Sequence, residues 1–199
     1  MPRSKTSMAL AYACNGYGPD HVSSEHDLAM LDSPVNEGLQ GMGFYETQQP
    51  SDLDENKARF YAYSQRWTSA IDSVGTCFFT FNIWSILSLK DLLDLINTVT
   101  GWEYTFFEFM LLGERRVNMV KAFNTREGFT SEDDMLPERL FTEPIKNNFS
   151  PEGTKIDKDD FLNVREHYYG MNGWDPKTGI PSKYKMTELG LSWAMNFLS

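Results

Sequence analysis

Between residues 53 and 74 the chain repeats apolar and aromatic side chains at intervals of three and four. Phe60, Tyr63, Trp67, Ala70, Ile71 and Val74 fall on one side of a helical wheel. A helix of that length must lay its apolar face on other elements, which commits the chain to helix-on-helix packing. Gly75 follows directly, either as the helix C-cap or as a position where a side chain would obstruct close approach.

Other segments carry the same period. Ser88 with Asp91 three residues on marks a helix start, although such a box usually prefers Glu or Gln. That helix runs through Leu92, Leu93, Leu95, Ile96 and Val99 and stops at Gly101. Residues 104–126 form the longest helical candidate. Phe107, Met110, Leu111, Val117, Val120 and Phe123 are expected inward, and Glu114, Arg115, Lys121 and Arg126 mostly outward. Gly113 inside it costs about 1 kcal/mol relative to Ala, which suggests close packing there. Asp157 can cap a helix through Phe161, Val164 and residues 168–171, and a short helix is expected near 183–189. Residues 8–13 form a short helix or a strand. Residues 129–156, acidic and rich in Pro and Gly, read as a long loop. The fold class expected is mostly α, without repeats, heptads or convincing alternating strands. Residues 1–50 are expected as a loop-rich segment and 51–199 as a helical domain, the two forming one structural unit.

The chain has 199 residues, enough to bury a core without disulfides, and 41% of them are hydrophobic. Its net charge of −10 argues against nucleic acid or an anionic membrane as partner. The two cysteines, Cys14 and Cys77, make no disulfide framework, which fits a reducing compartment and a cytoplasmic location. The short apolar patch after the first residues suits neither a signal peptide nor a membrane span. The apolar run 77–87 is interrupted by Asn82 and Ser85 and reads as buried core.

Cys77 ends the run Asp72-Ser73-Val74-Gly75-Thr76-Cys77. It is either a free thiol packed as a small hydrophobe beside Phe78 and Phe79, which composition favours, or one metal ligand whose companions lie elsewhere. Asp72 is either a solvated carboxylate at a helix end or an acceptor for ring N–H groups of a cofactor. His21, in Gly16-Tyr17-Gly18-Pro19-Asp20-His21, is a solvated loop residue or a proton donor and acceptor for a substrate. His26 and His167 read as structural or surface. Arg116, Arg126 and Arg139 with Glu127, Glu132, Asp133 and Asp134 read as an exposed ion-pair set worth little.

Four stretches in order resemble the C-terminal region of tungsten-containing aldehyde ferredoxin oxidoreductases. They are MALAYA (8–13) with GPDH (18–21), the DxxGxC pattern at 72–77, NMVKAFNTREGFTSEDDMLPER (118–139) and REHYYGMNGWDPKTGIPSKYKMTELGL (165–191). Together they span nearly the whole chain. The resemblance implies a tungsten or molybdenum bis-pterin cofactor, a [4Fe–4S] cluster, aldehyde oxidation to carboxylic acid and electron transfer to ferredoxin. It implies that Cys77 is the fourth cluster ligand, remote from the other three. It implies that Asp72, Gly75 and Thr76 touch a pterin and that His21 exchanges protons near the metal. Thr76 and Cys14 depart from the family's usual Leu and Thr. The family's N-terminal sheet domain, first pterin motif and three-cysteine motif are absent here. The implied partner is therefore an N-terminal domain or subunit of the same enzyme, with this chain inactive alone and exposing an apolar face. The alternative is a non-catalytic helical remnant or interaction subunit lacking a complete cofactor site.

Overall fold

The computed structural model describes residues 1–85, 87–147 and 150–197. It is mostly α, as expected. Helix α1 (Ser7–Cys14) settles the helix-or-strand alternative at 8–13. A 3-10 helix (Asp27–Asp32) and the short α2 (Glu37–Gly41) follow. Helix α3 (Glu55–Ser73) is the long amphipathic stretch, and the Asp54 side chain caps it by accepting from the N–H groups of Asn56 and Lys57. The short α4 (Phe78–Phe81) precedes α5 (Leu89–Thr100) and α6 (Phe106–Arg126). Ser88 and Asp91 close a full capping box on α5, so Asp does serve at the position where Glu or Gln is usual.

Residues 129–156 are not a plain loop. They hold the short α7 (Arg139–Thr142) and an antiparallel pair, β1 (Ile145–Asn147) and β2 (Ser150–Thr154), with Ile145 opposite Thr154 and Asn147 opposite Ser150. These strands are too short for alternation to show in the sequence. Helix α8 (Lys158–Met171) is capped by Asp157, α9 (Lys183–Glu188) follows two turns, and a 3-10 helix (Ser192–Phe197) ends the described chain. Among the described residues no helix is long and apolar enough to cross a membrane.

Helix α3 is buried on more than its apolar face, because it lies among α1, α6 and α8. Ala58, Tyr61 and Ala62 join a core with Met8, Leu10, Phe161 and Tyr168, while Phe60, Trp67, Ala70 and Ile71 join a second with Met30, Leu39, Leu92 and Phe109. Its polar residues are buried too and find partners. Gln65 donates to the Tyr61 hydroxyl at 2.9 Å and accepts from that of Tyr168 at 2.6 Å. Lys57 and Asp27, both with 0% exposed side chains, form an ion pair at 3.0 Å. Asp27 also accepts from the backbone N–H and hydroxyl of Ser7, so this pair joins α1, α3 and the 3-10 helix.

The crossing of α3 and α6 is set by Gly113. A β-carbon there would lie 1.8 Å from the Arg66 carbonyl oxygen, so the expected close packing is backbone against backbone. The expected faces of α6 hold at Val117, Arg115 and Arg126 and fail at four other positions. Phe107 is 73% exposed and Phe123 lies outside, whereas Glu114 and Lys121, expected outward, are buried. Both are neutralised by distant residues: Glu114 by Arg66 (3.1 Å) and Lys185 (3.0 Å), and Lys121 by Asp134 (2.5 Å). Asp134 therefore leaves the expected exposed ion-pair set.

Gly113→Ala should destabilise the chain by about 3 kcal/mol in urea unfolding, because overpacking outweighs the gain of about 1 kcal/mol in helix propensity. Lys57→Met, which leaves the Asp27 carboxylate buried without its cation, should cost about 3–5 kcal/mol in the same measurement.

Candidate functional site

The run Asp72 to Cys77 is the C-terminal exit of α3. Gly75 has φ +74°, its N–H donates to the Asp72 carbonyl at 3.1 Å, and the Thr76 N–H donates to the Ile71 carbonyl at 3.2 Å. This is a Schellman closure, which satisfies carbonyls the helix end would leave open and requires a residue tolerant of the left-handed region. A β-carbon at Gly75 would meet nothing within 4 Å, so glycine is needed here for its backbone conformation, and the space above it is free for another molecule. The Thr76 hydroxyl turns back onto the Ile71 carbonyl at 3.2 Å.

Cys77 comes next and is exposed, whereas Cys14 is buried. The expectation of buried core across 77–87 is therefore corrected. Among its described residues only Phe81 is buried, and Phe79 is 73% and Trp84 49% exposed. Its only helix among the described residues, α4, is a single turn. The small-hydrophobe reading of Cys77 falls with that expectation.

Asp72 is anchored from α6. Arg116 reaches its carboxylate at 3.1 Å and the Ser69 hydroxyl at 3.2 Å, and the guanidinium lies over the Tyr17 ring at 5.6 Å. Tyr17 belongs to the loop after α1. Asn15 holds that loop by donating to the Gly18 carbonyl (2.8 Å), and Asn124 by donating to the Gly16 carbonyl (2.5 Å). Gly16 also packs against Val120 so tightly that a β-carbon would lie 2.4 Å from it. Tyr17, Arg116 and Asp72 thus link the 15–21 loop to the exit of α3. Burial pushes the Tyr17 phenol up from its ordinary value, and Arg116 partly opposes this.

His21, exposed in the same loop, contacts Tyr12 and His26 rather than the residues of 72–77. Its hydroxyl partner Tyr12 is held above the usual tyrosine range by burial and by Asp20. Of the two histidines read as structural or surface, His26 is the structural one, half-buried and bonded at both nitrogens, and His167 is exposed on α8. Sequence reading missed Arg116 as an anchor because its partners lie far away along the chain.

Glu25 was also not singled out. It is fully buried, one carboxyl oxygen accepts from the Ile83 N–H at 3.2 Å, and the other faces Trp67 Nε1 without a well-formed hydrogen bond. Burial pushes this carboxyl up to about 8, against the lowering effect of the Ile83 N–H. It ties the segment after His21 to the segment after Cys77.

A family model described as aldehyde ferredoxin oxidoreductase, domains 2 and 3, matches residues 1–191. The chain belongs to the aldehyde ferredoxin oxidoreductase family. It is 32% identical over 196 residues to a tungsten-containing aldehyde ferredoxin oxidoreductase of Pyrococcus furiosus, matching 96% of this chain and 29% of that protein. The Pyrococcus abyssi protein of the same name is 30% identical over 195 residues, covering 96% and 28%. The chain thus spans less than a third of the length of these relatives. The active-site complex BamBC of benzoyl coenzyme A reductase, solved with 1,5-dienoyl-CoA, shares the fold with TM-score 0.60 and 17% identity, over 85% of this chain and 26% of that one.

Cys77 offers an accessible thiol, and the space around Gly75 is open. Among the described residues, however, no group of three or more metal-ligating side chains gathers.

Glu25 makes a signed prediction. Its folded-state value lies above the unfolded one, so the folded chain holds the extra proton between them. Its contribution should make stability fall as pH rises from about 4.5 to about 8, by on the order of 4 kcal/mol. Glu25→Gln, which keeps an acceptor for Ile83 and cannot ionise, should remove that slope in urea melts across this range.

Proposed function

We propose that this chain is the C-terminal portion of a tungsto- or molybdopterin aldehyde:ferredoxin oxidoreductase. Another polypeptide region, carrying a pterin motif and three cysteines, would complete it. The observation that carries this reading is the αL turn at Gly75, which presents an exposed Cys77 beside open space and is anchored from within the chain by Arg116.

In the completed enzyme the bis-pterin metal would supply the two-electron oxidation of an aldehyde to a carboxylic acid, and the [4Fe–4S] cluster would pass the electrons to ferredoxin. This chain's residues do the rest. Cys77 gives the cluster its fourth thiolate. Asp72 is an acceptor for pterin N–H groups, held in place by Arg116. Gly75 and the Thr76 backbone let the pterin approach without a side chain in the way. His21 exchanges protons with the substrate from the loop that Tyr17 joins to Arg116 and Asp72. The exposed Phe79 and Trp84 beside Cys77 are surface that the complementary region would cover.

The test is assembly. The chain is co-produced anaerobically with a region carrying the three-cysteine motif, and iron, tungsten, molybdenum and aldehyde-dependent dye reduction are measured. The chain alone should be inactive. The complex should reduce dye and hold about four irons per assembly. Cys77→Ala should remove the cluster's electron paramagnetic resonance signal. An intact cluster in that variant sinks the ligand assignment, and a complex devoid of metal favours a non-catalytic remnant.

A further inference from the structure

His21 does not stand alone in its loop. Its Nδ1 lies 3.0 Å from the Tyr12 hydroxyl, and the His26 ring meets it edge-on, with centroids 4.4 Å apart and planes at 79°. His26 is itself held at both nitrogens: Nε2 is 2.9 Å from the His21 carbonyl oxygen and Nδ1 is 3.2 Å from Lys5 Nζ.

The chemistry of these partners fixes the tautomer. A lysine ammonium has donors and no acceptor, so the His26 Nδ1 beside it must carry a lone pair. The hydrogen of neutral His26 then sits on Nε2, where a carbonyl oxygen waits to accept it. Adding a second proton would set an N–H against the Lys5 ammonium.

We infer that Lys5, His26 and Tyr12 are positioning residues for His21, with His26 a neutral prop of fixed tautomer and Tyr12 the acceptor of the His21 Nδ1–H. His21 Nε2 is then the nitrogen left to gain and lose the proton. This rests on the proposed proton-exchanging role of His21 and adds how the ring is oriented for it. Bonds at both His26 nitrogens fix its plane, and that plane abuts the His21 ring. The Nδ1–H to Tyr12 bond survives in both charge states of His21, so proton transfer at Nε2 requires no rearrangement of the ring. The groups facing this pair are Lys5 before α1, Tyr12 on α1, Asp20 in the loop and Asp27 at the start of the 3-10 helix. Burial and Lys5 lower the His26 value, and the bond to the His21 carbonyl and the charge of Asp27 partly oppose them.

The test is nitrogen-15 NMR of the imidazoles in the full chain, without cofactor or partner. His26 should be the Nε2–H tautomer with a titration midpoint below the ordinary histidine value of about 6.5. Neutral His21 should be the Nδ1–H tautomer. Lys5→Met should raise the His26 midpoint by about half a pH unit or more, and Lys5→Arg should leave it near its original value. Tyr12→Phe should move neutral His21 away from the Nδ1–H tautomer, because that hydrogen loses its acceptor. His26 as the Nδ1–H tautomer, or titrating at or above the ordinary value, overturns the inference. So does neutral His21 found as the Nε2–H tautomer in the unsubstituted chain. If Tyr12→Phe fails to fold, the wild-type tautomers and the two Lys5 variants still decide. These readings need no cofactor, so they fail or succeed separately from the assembly experiment.

Discussion

The approach of the Gly113 α-carbon to the Arg66 carbonyl oxygen sets the rest of the molecule. With no side chain at that point, α3 and α6 touch backbone to backbone, and residues one turn along each helix come within reach of each other. Arg116, three residues beyond Gly113, then meets Ser69 and Asp72, and Arg66 meets Glu114. A crossing held further apart by a β-carbon would draw Arg66 away from Glu114, leaving Lys185 as its cation, and would part Arg116 from Asp72. The DxxGxC turn is therefore supported by a contact well removed from it along the chain.

A second constraint is the loop-rich segment after α1. Regular structure supplies few of its backbone partners, so side chains of α3 and its neighbours do so. Thr68 donates to the Ser23 carbonyl at 2.5 Å, Lys57 pairs with Asp27, and Glu25 accepts from Ile83. The Thr68 and Lys57 contacts are buried and the Glu25 contact partly so, and buried polar contacts are specific because leaving one unmade is costly. The His21 loop is thus attached to α3 on its far side by these bonds and on its near side by Tyr17 and Arg116. Without them, a segment this rich in Gly, Ser and Asp would have little reason to adopt one shape.

Helices were legible in the sequence where local chemistry decides. Ser88 and Asp157 cap their helices by bonds that reach only two or three residues, and Gly75 and Gly101 stop theirs by backbone conformation. What was not legible depends on residues far along the chain. Periodicity sorts side chains by hydrophobicity, so it placed Glu114 and Lys121 in solvent; their partners Lys185 and Asp134 carry no mark of the pairing in sequence. The run 77–87 failed in the opposite direction. Its composition is that of a core, yet among its described residues only Phe81 is buried. Of the candidate site, the family pattern pointed to Cys77, Gly75, Asp72 and His21. Nothing local pointed to Arg116, Tyr12 or Glu25, because their significance lies in what they touch.

The mismatch at 77–87 bears on how a divided site could work. The turn from Asp72 to Thr76 closes its own hydrogen bonds, and Arg116 holds its carboxylate, so its geometry does not wait on another polypeptide. Of the apolar residues further along, Phe79 is largely exposed and Trp84 half exposed among the described residues. A complementary region would thus meet a turn already in its final shape beside a surface that gains from burial. Association would spend little on ordering the ligand-bearing turn and would draw its driving force from the neighbouring aromatic residues. An exposed thiol on a rigid turn suits the last ligand to close a site assembled from two regions, since it need only be presented, not folded into place.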